Sequence, residues 1–218
     1  FEEAFSNYIG CRHAIGLNSC TAGLHLALAV KEFRANDEVI TTTMTFPATA
    51  NAIIHAGLRP VFVDIEAGTL NMDVSLIEEK ITPRTRAIIP VHFAGHPCDM
   101  DPIMELASKN KLAVIEDAAH ALETKYKNRK IGNLGNPTAF SFYANKNITT
   151  GEGGMLVLND DFIADEIRIL RLHGISRDAW KRYGKSGFSH WELHSAGFKY
   201  NMSDINSAIG IHQLKKID

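Results

Sequence analysis

The stretch TAFSFYANKNITTGEGGMLVLN, residues 138–159, decides the fold. Its two ends, TAFSFYA (138–144) and GGMLVLN (153–159), are apolar on both faces. That is the pattern of strands covered on both sides. Between them one lysine, Lys146, stands among small polar residues ahead of the glycines of GEGG (151–154). A lysine on a surface loop is ordinary. One lodged between an inner strand and a glycine turn points to chemistry, and the glycines suit a sharp turn into the next strand.

Working outward, the same strand pattern recurs at 13–19, 38–46, 59–65, 85–93 and 112–119. Helical patterns fall between the strands, at 21–33, 47–57, 74–81, 100–111 and 161–174. Pro47 suits a first helical turn, and Gly57 and Gly174 suit helix stops. This alternation predicts an α/β domain: a mainly parallel seven-stranded sheet flanked by helices. Ligands of such sheets sit at the carboxyl ends of the strands. Those ends carry Asn18 to Thr21, Thr45-Phe46, His92, Glu116-Asp117 with His120, and Ser141 to Lys146. Residues 175–200 lack clear periodicity and are rich in aromatic and basic residues, which predicts a long, partner-contacting excursion.

With 218 residues, 45% of them hydrophobic, the chain can bury a real core. A net charge of -2 without a basic run gives no electrostatic reason to expect nucleic acid. Cys11, Cys20 and Cys98 fit neither a disulfide framework nor a paired zinc motif, so a reducing, cytoplasmic setting is expected. No apolar run is long enough for a membrane helix. Both ends fall inside amphipathic patterns, so the sequence reads as a piece of a longer protein.

Several residues invite chemistry. The amine of Lys146 can condense with an aldehyde if partly desolvated, although a lone lysine is more often a solvated loop residue. Asp117 ends the apolar run LAVIED, where a carboxylate is costly without a cationic partner; a protonated pyridine nitrogen would be one, and simple helix capping is the alternative. NSCTAGLHLALAV sets small polar residues before a strong helix, a place that favours phosphate or, again, mere capping. Phe46 at the sheet edge could lie against a planar ring or belong to the core. His92 and His96 have a metal-like spacing but no third ligand, which argues against zinc, and no metal is expected. No G-x-G-x-x-G follows any strand, so a dinucleotide-binding domain is rejected.

Four motifs in order, TTTMTFPATANAI (41–53), IEDAAHA (115–121), SFYANKNITTGEGG (141–154) and GFKYNMSDINSAIG (197–210), resemble the DegT/DnrJ/EryC1/StrS sugar aminotransferases. These use pyridoxal phosphate (PLP) and share the aspartate-aminotransferase fold type. The resemblance implies a PLP-binding large domain over 1–200 and a helix over 201–218 leading to a small C-terminal domain that this sequence lacks. It implies that Lys146 joins the cofactor's aldehyde and, once released by substrate, moves a proton between carbons. Asp117 would pair with the ring nitrogen, His120 would lie near the ring hydroxyl, and Phe46 would stack on the ring. Cys20, Thr21 and Ser141 would hold the phosphate. Asn201 would reach the phosphate of the neighbouring subunit's cofactor, so a homodimer with shared sites is expected. RDAWKRY (177–183) is similar to a variant in enzymes acting on nucleotide-linked sugars, including a lipid A pathway. The implied reaction passes an amino group from an amino acid, glutamate foremost, to a nucleotide-linked keto-sugar. Sugar dehydratases of the same fold carry His at the lysine position, so Lys146 favours transamination over dehydration. A non-catalytic PLP-binding sensor is the remaining rival.

Overall fold

The computed structural model describes residues 1–175 and 192–217. The excursion expected at 175–200 and the RDAWKRY motif fall largely or wholly outside them. In chain order the elements are α1 (Glu2–Ile9), β1 (His13–Leu17), α2 (Cys20–Ala29), β2 (Glu38–Thr42), α3 (Pro47–His55), β3 (Arg59–Val63) and β4 (Thr85–Ile88). There follow α4 (Met100–Asn110), β5 (Ala113–Val114), β6 (Glu116–Asp117), β7 (Lys125–Tyr126), β8 (Arg129–Lys130), β9 (Thr138–Ser141), β10 (Gly154–Leu158), α5 (Asp161–Leu170) and α6 (Asp204–Leu214). Among the described residues no helix is long and apolar enough to cross a membrane.

The α/β class predicted from the sequence is what forms, but the single seven-stranded sheet is not. Two four-stranded sheets form instead. One, ordered β3-β2-β4-β5, is parallel throughout; the other, ordered β1-β10-β9-β6, is mixed, with β10 antiparallel to both of its neighbours. The break falls at Ile115. Residues 113–115 bond to β4, and 116–118 bond to β9 on one side and to Pro90 and His92 on the other. The two sheets therefore meet along 113–118. Hydrophobic periodicity reports that a strand is covered on both faces; it does not report which neighbours it bonds or in which direction.

Helix α2 explains why the core holds. Eight of its residues, Cys20, Ala22, Gly23, Leu24, His25, Leu26, Ala27 and Leu28, are buried, as expected for a helix apolar all round. It lies on β9 and β10, and Gly23 lets it approach closely: a Cβ there would sit 3.2 Å from that of Ala139. The helix predicted at 74–81 is two 3₁₀ turns, at 74–76 and 78–80. Eight residues rarely nucleate an α-helix on their own, and here Ile77 is the buried anchor. The hairpin β7–β8 has no counterpart among the predicted strands. Its turn uses Lys127 and Asn128, both at positive φ, and Asn128 is the sequence signal for it.

Candidate active site

Helix α2 begins where β1 ends. Ser19 caps it by accepting the Ala22 N–H at 3.1 Å. The first N–H groups of a helix have no carbonyl partner within it. Those of Cys20 and Thr21 stand beside a cavity of about 550 Å³. Gly154, the first residue of β10, makes this junction: a Cβ would lie 2.3 Å from the Ser19 carbonyl carbon and 2.5 Å from the Cys20 nitrogen. Only glycine lets β10 start so close to the helix backbone.

Asp117 ends β6 and faces the same cavity, 5% exposed. Its Oδ2 accepts from the Thr49 hydroxyl at 2.7 Å, and its Oδ1 accepts from the Ala119 N–H at 3.1 Å. Cys20 Sγ lies 4.0 Å from Oδ1 and donates to the Ala139 carbonyl at 3.5 Å. Burial, and then the Asp117 charge, push the Cys20 thiol well above its ordinary range. Cys20 therefore offers the cavity a backbone N–H rather than a thiolate.

Lys146 reaches the cavity from the loop after β9, where its N–H bonds the Tyr143 carbonyl at 3.0 Å. Among the described residues, neither Lys146 nor Asp117 has an ion-pair partner. His120 is half-buried in the same wall. Burial, then the Lys146 ammonium, lower its pKa, with Asp117 opposing. The imidazole is thereby favoured in its neutral form. Phe46 is not core: it is 77% exposed at the cavity lip, on the residue that precedes α3.

Of the eight residues singled out from the sequence, seven line this one cavity: Cys20, Thr21, Phe46, Asp117, His120, Ser141 and Lys146. Asn201 does not. It pairs with Leu17 near the end of β1 and accepts from Lys199 Nζ at 2.8 Å. Thr45 and Tyr143, placed by the sequence at strand ends without a role, line it too; sequence reasoning missed Glu152, on the same wall, and Thr49, whose hydroxyl reaches Asp117. Thr49 had a signal: in TFPAT it falls one turn past the Phe46 helix start. His92 also lines the cavity, but both ring nitrogens are engaged: Nδ1 accepts the Cys98 N–H at 3.1 Å, and Nε2 meets Glu116 Oε2 at 2.9 Å. Because Nδ1 accepts, the proton is on Nε2 and goes to Glu116.

A cationic amine, a buried carboxylate and free helix-start N–H groups around one gap can hold an anionic, planar, electrophilic ligand. The chain is 53% identical over all 218 residues to the spore coat polysaccharide biosynthesis protein SpsC of Bacillus subtilis. It is 46% identical, again over its whole length, to the GDP-perosamine synthase of Caulobacter vibrioides. It spans 56% of the length of each of these curated relatives. The PLP-form of the putative sugar aminotransferase Spr1654 from Streptococcus pneumoniae superposes with a TM-score of 0.89 at 34% identity, covering 99% of this chain and 58% of that one. The family model for these enzymes matches residues 1–218, and the chain belongs to the DegT/DnrJ/EryC1/StrS aminotransferase family.

Proposed function

We propose that this chain is the cofactor-binding part of a PLP-dependent aminotransferase that passes an amino group from glutamate to a nucleotide-linked keto-sugar. The observation that carries the reading is the gap between Asp117 and Lys146: two opposite charges on one cavity, neither in an ion pair with the other or with any described residue. The cofactor asks for what surrounds that gap. A ring nitrogen needs an anion, an aldehyde needs an amine, a phosphate needs clustered N–H donors, and a flat ring takes an aromatic face.

In this reading Asp117 holds the ring nitrogen, Phe46 covers one face and neutral His120 lies near the ring hydroxyl. The N–H groups of Cys20 and Thr21, with the Ser141 hydroxyl, hold the phosphate. When bound, PLP supplies an electron sink for a carbanion at the substrate carbon. The Lys146 amine takes and returns the proton at that carbon. Asn201, outside the cavity, serves the phosphate of a neighbouring subunit, so the working unit is a homodimer. Residues 1–200 act as the large domain, and 201–218 lead toward a smaller one. The nucleotide-linked sugar rests on the name of one relative, the GDP-perosamine synthase, and a cytoplasmic setting belongs to the same reading.

The full-length protein should take up PLP and turn yellow, and borohydride should fix the label on Lys146. In a separate, unreduced sample glutamate should bleach the visible band and release 2-oxoglutarate. A protein that cannot take up PLP sinks the proposal. Uptake without a response to glutamate moves it to a dehydratase or a sensor. A screen of nucleotide-linked keto-sugars with glutamate identifies the acceptor.

A further inference from the structure

We propose that Thr49, backed by Thr45, is a positioning residue that straps the Asp117 carboxylate to the helix start bearing Phe46. Thr49 lies on α3 and is fully buried. Its Oγ1 is 2.7 Å from Asp117 Oδ2 and 2.7 Å from Thr45 Oγ1. Its own N–H bonds the Phe46 carbonyl at 3.2 Å. The direction of the relay follows from donor counts. An ionised carboxylate only accepts, so Thr49 gives its one proton to Asp117. Thr45 must then donate to Thr49. The Thr45 oxygen, on the cavity wall, is left with lone pairs alone and can only accept from a ligand.

The strap joins two walls of the cavity that the chain sets far apart. Thr49 and Asp117 are 68 residues apart, and α3 touches the parallel sheet while β6 belongs to the mixed one. Among the described residues, Asp117 has besides Thr49 only the Ala119 N–H as a close donor; the Cys20 thiol stands off at 4.0 Å. A hydroxyl at 49 therefore fixes both the rotamer of Asp117 and its spacing from the Phe46 lip. In function the inference rests on the PLP reading; in geometry it does not.

The test uses the full-length protein stripped of cofactor and titrated with PLP by absorbance. Thr49→Val keeps the shape and removes the hydroxyl. It should weaken PLP binding about tenfold or more, as expected for a lost hydrogen bond to a charged group. Thr49→Ser restores the hydroxyl and should bind within about threefold of wild type, on the same basis. If valine binds like wild type, or serine binds as weakly as valine, the strap is overturned. A second measurement stands apart from PLP. In the stripped protein, Thr49→Val and Asp117→Ala should be non-additive in urea unfolding, because each removes the same contact. Additive effects overturn the strap even if PLP binds, and non-additive effects sustain it even if wild type takes up no PLP, in which case only the functional reading falls. Should Thr49→Val fail to fold, Thr45→Val, at a half-buried hydroxyl, replaces it in both measurements; additivity with Asp117→Ala together with unchanged PLP binding would refute the relay.

Discussion

Two clefts share the loop that follows β4. The larger, about 550 Å³, is lined by Val91, His92 and Phe93 of that loop and holds Asp117 and Lys146. The smaller, about 380 Å³, is lined by His96 and Pro97 of the same loop and holds Glu66, Asp73 and Asp99. Both carry acids, yet the acids differ in kind. Glu66 accepts from Thr69 three residues away and Asp73 from Ser75 two residues away; both are turn caps, and Glu66 and Asp99 are exposed. Asp117 is buried and takes its hydroxyl donor from 68 residues away. Local caps cost little to form and need no ligand. A buried charge held by distant groups, with an unpaired amine across a gap, is costly to assemble unless something fills the gap. The acids of the smaller cleft are accounted for by folding; those of the larger one are not.

The sharpest way to break this contrast is to remove one charged group from each cleft. Lys146→Ala should lower glutamate-dependent turnover about a hundred- to ten-thousand-fold, the range ascribed to a positioned acid–base group. Asp73→Asn, measured beside it, should leave turnover within about twofold, since it alters only a local turn cap. Equal losses would erase the distinction. Next in size, Asp117→Asn should weaken PLP binding by about ten- to a hundredfold, the worth of one charge-assisted hydrogen bond. The same change at Asp99, followed by the same titration, should do nothing.

The contrast also explains what the sequence could and could not disclose. The α/β class was legible because β10, buried at every position, reads as a continuous apolar run, and β2 as a β-branched one. Seven of the eight chosen residues reached one cavity because strand ends and helix starts converge at one edge in such folds. Strand partners were not legible: nothing in LAVIEDAA marks the change of neighbours at Ile115. Thr49 was not legible as a partner of Asp117 either. A threonine one turn into a helix is unremarkable until tertiary contact brings a carboxylate within 2.7 Å. Phe46 was ambiguous for the opposite reason, because apolar character alone does not separate a core residue from one 77% exposed on a cavity lip.

Two glycines carry the comparison to stability. At Gly154 a new Cβ would meet backbone atoms of Ser19 and Cys20 at 2.3–2.5 Å, and backbone cannot swing away. Gly154→Ala should cost about 1–3 kcal/mol in urea unfolding and weaken PLP binding with it. Gly68, in the turn beside Glu66, has nothing within 4 Å of its would-be Cβ and no positive φ. Gly68→Ala should stay within about 0.5 kcal/mol. Equal costs at the two positions would mean that the junction of α2 and β10 is looser than its contacts imply.

The smallest effect belongs to another buried, long-range contact beside the larger cleft. His25 of α2 is 5% exposed, and its Nδ1 meets the Tyr200 hydroxyl at 3.1 Å, across 175 residues of sequence. Its ring packs edge-on against Phe198 and His55. Burial, and then the neighbouring His55 charge, lower its pKa in the folded protein. The unfolded chain therefore takes up this proton first as pH falls, and protonation favours unfolding. The stabilising contribution is complete above about pH 6.5, the ordinary histidine value, and is lost as pH drops through the lowered one. Melting temperature should accordingly decline between about pH 7 and pH 5, and His25→Gln, which keeps a polar group for Tyr200 but cannot titrate, should flatten part of that decline. An unchanged slope would mean that the tie between α2 and Tyr200 is relaxed enough to admit a charged ring. Buried long-range contacts would then be no more demanding than the local caps of the smaller cleft.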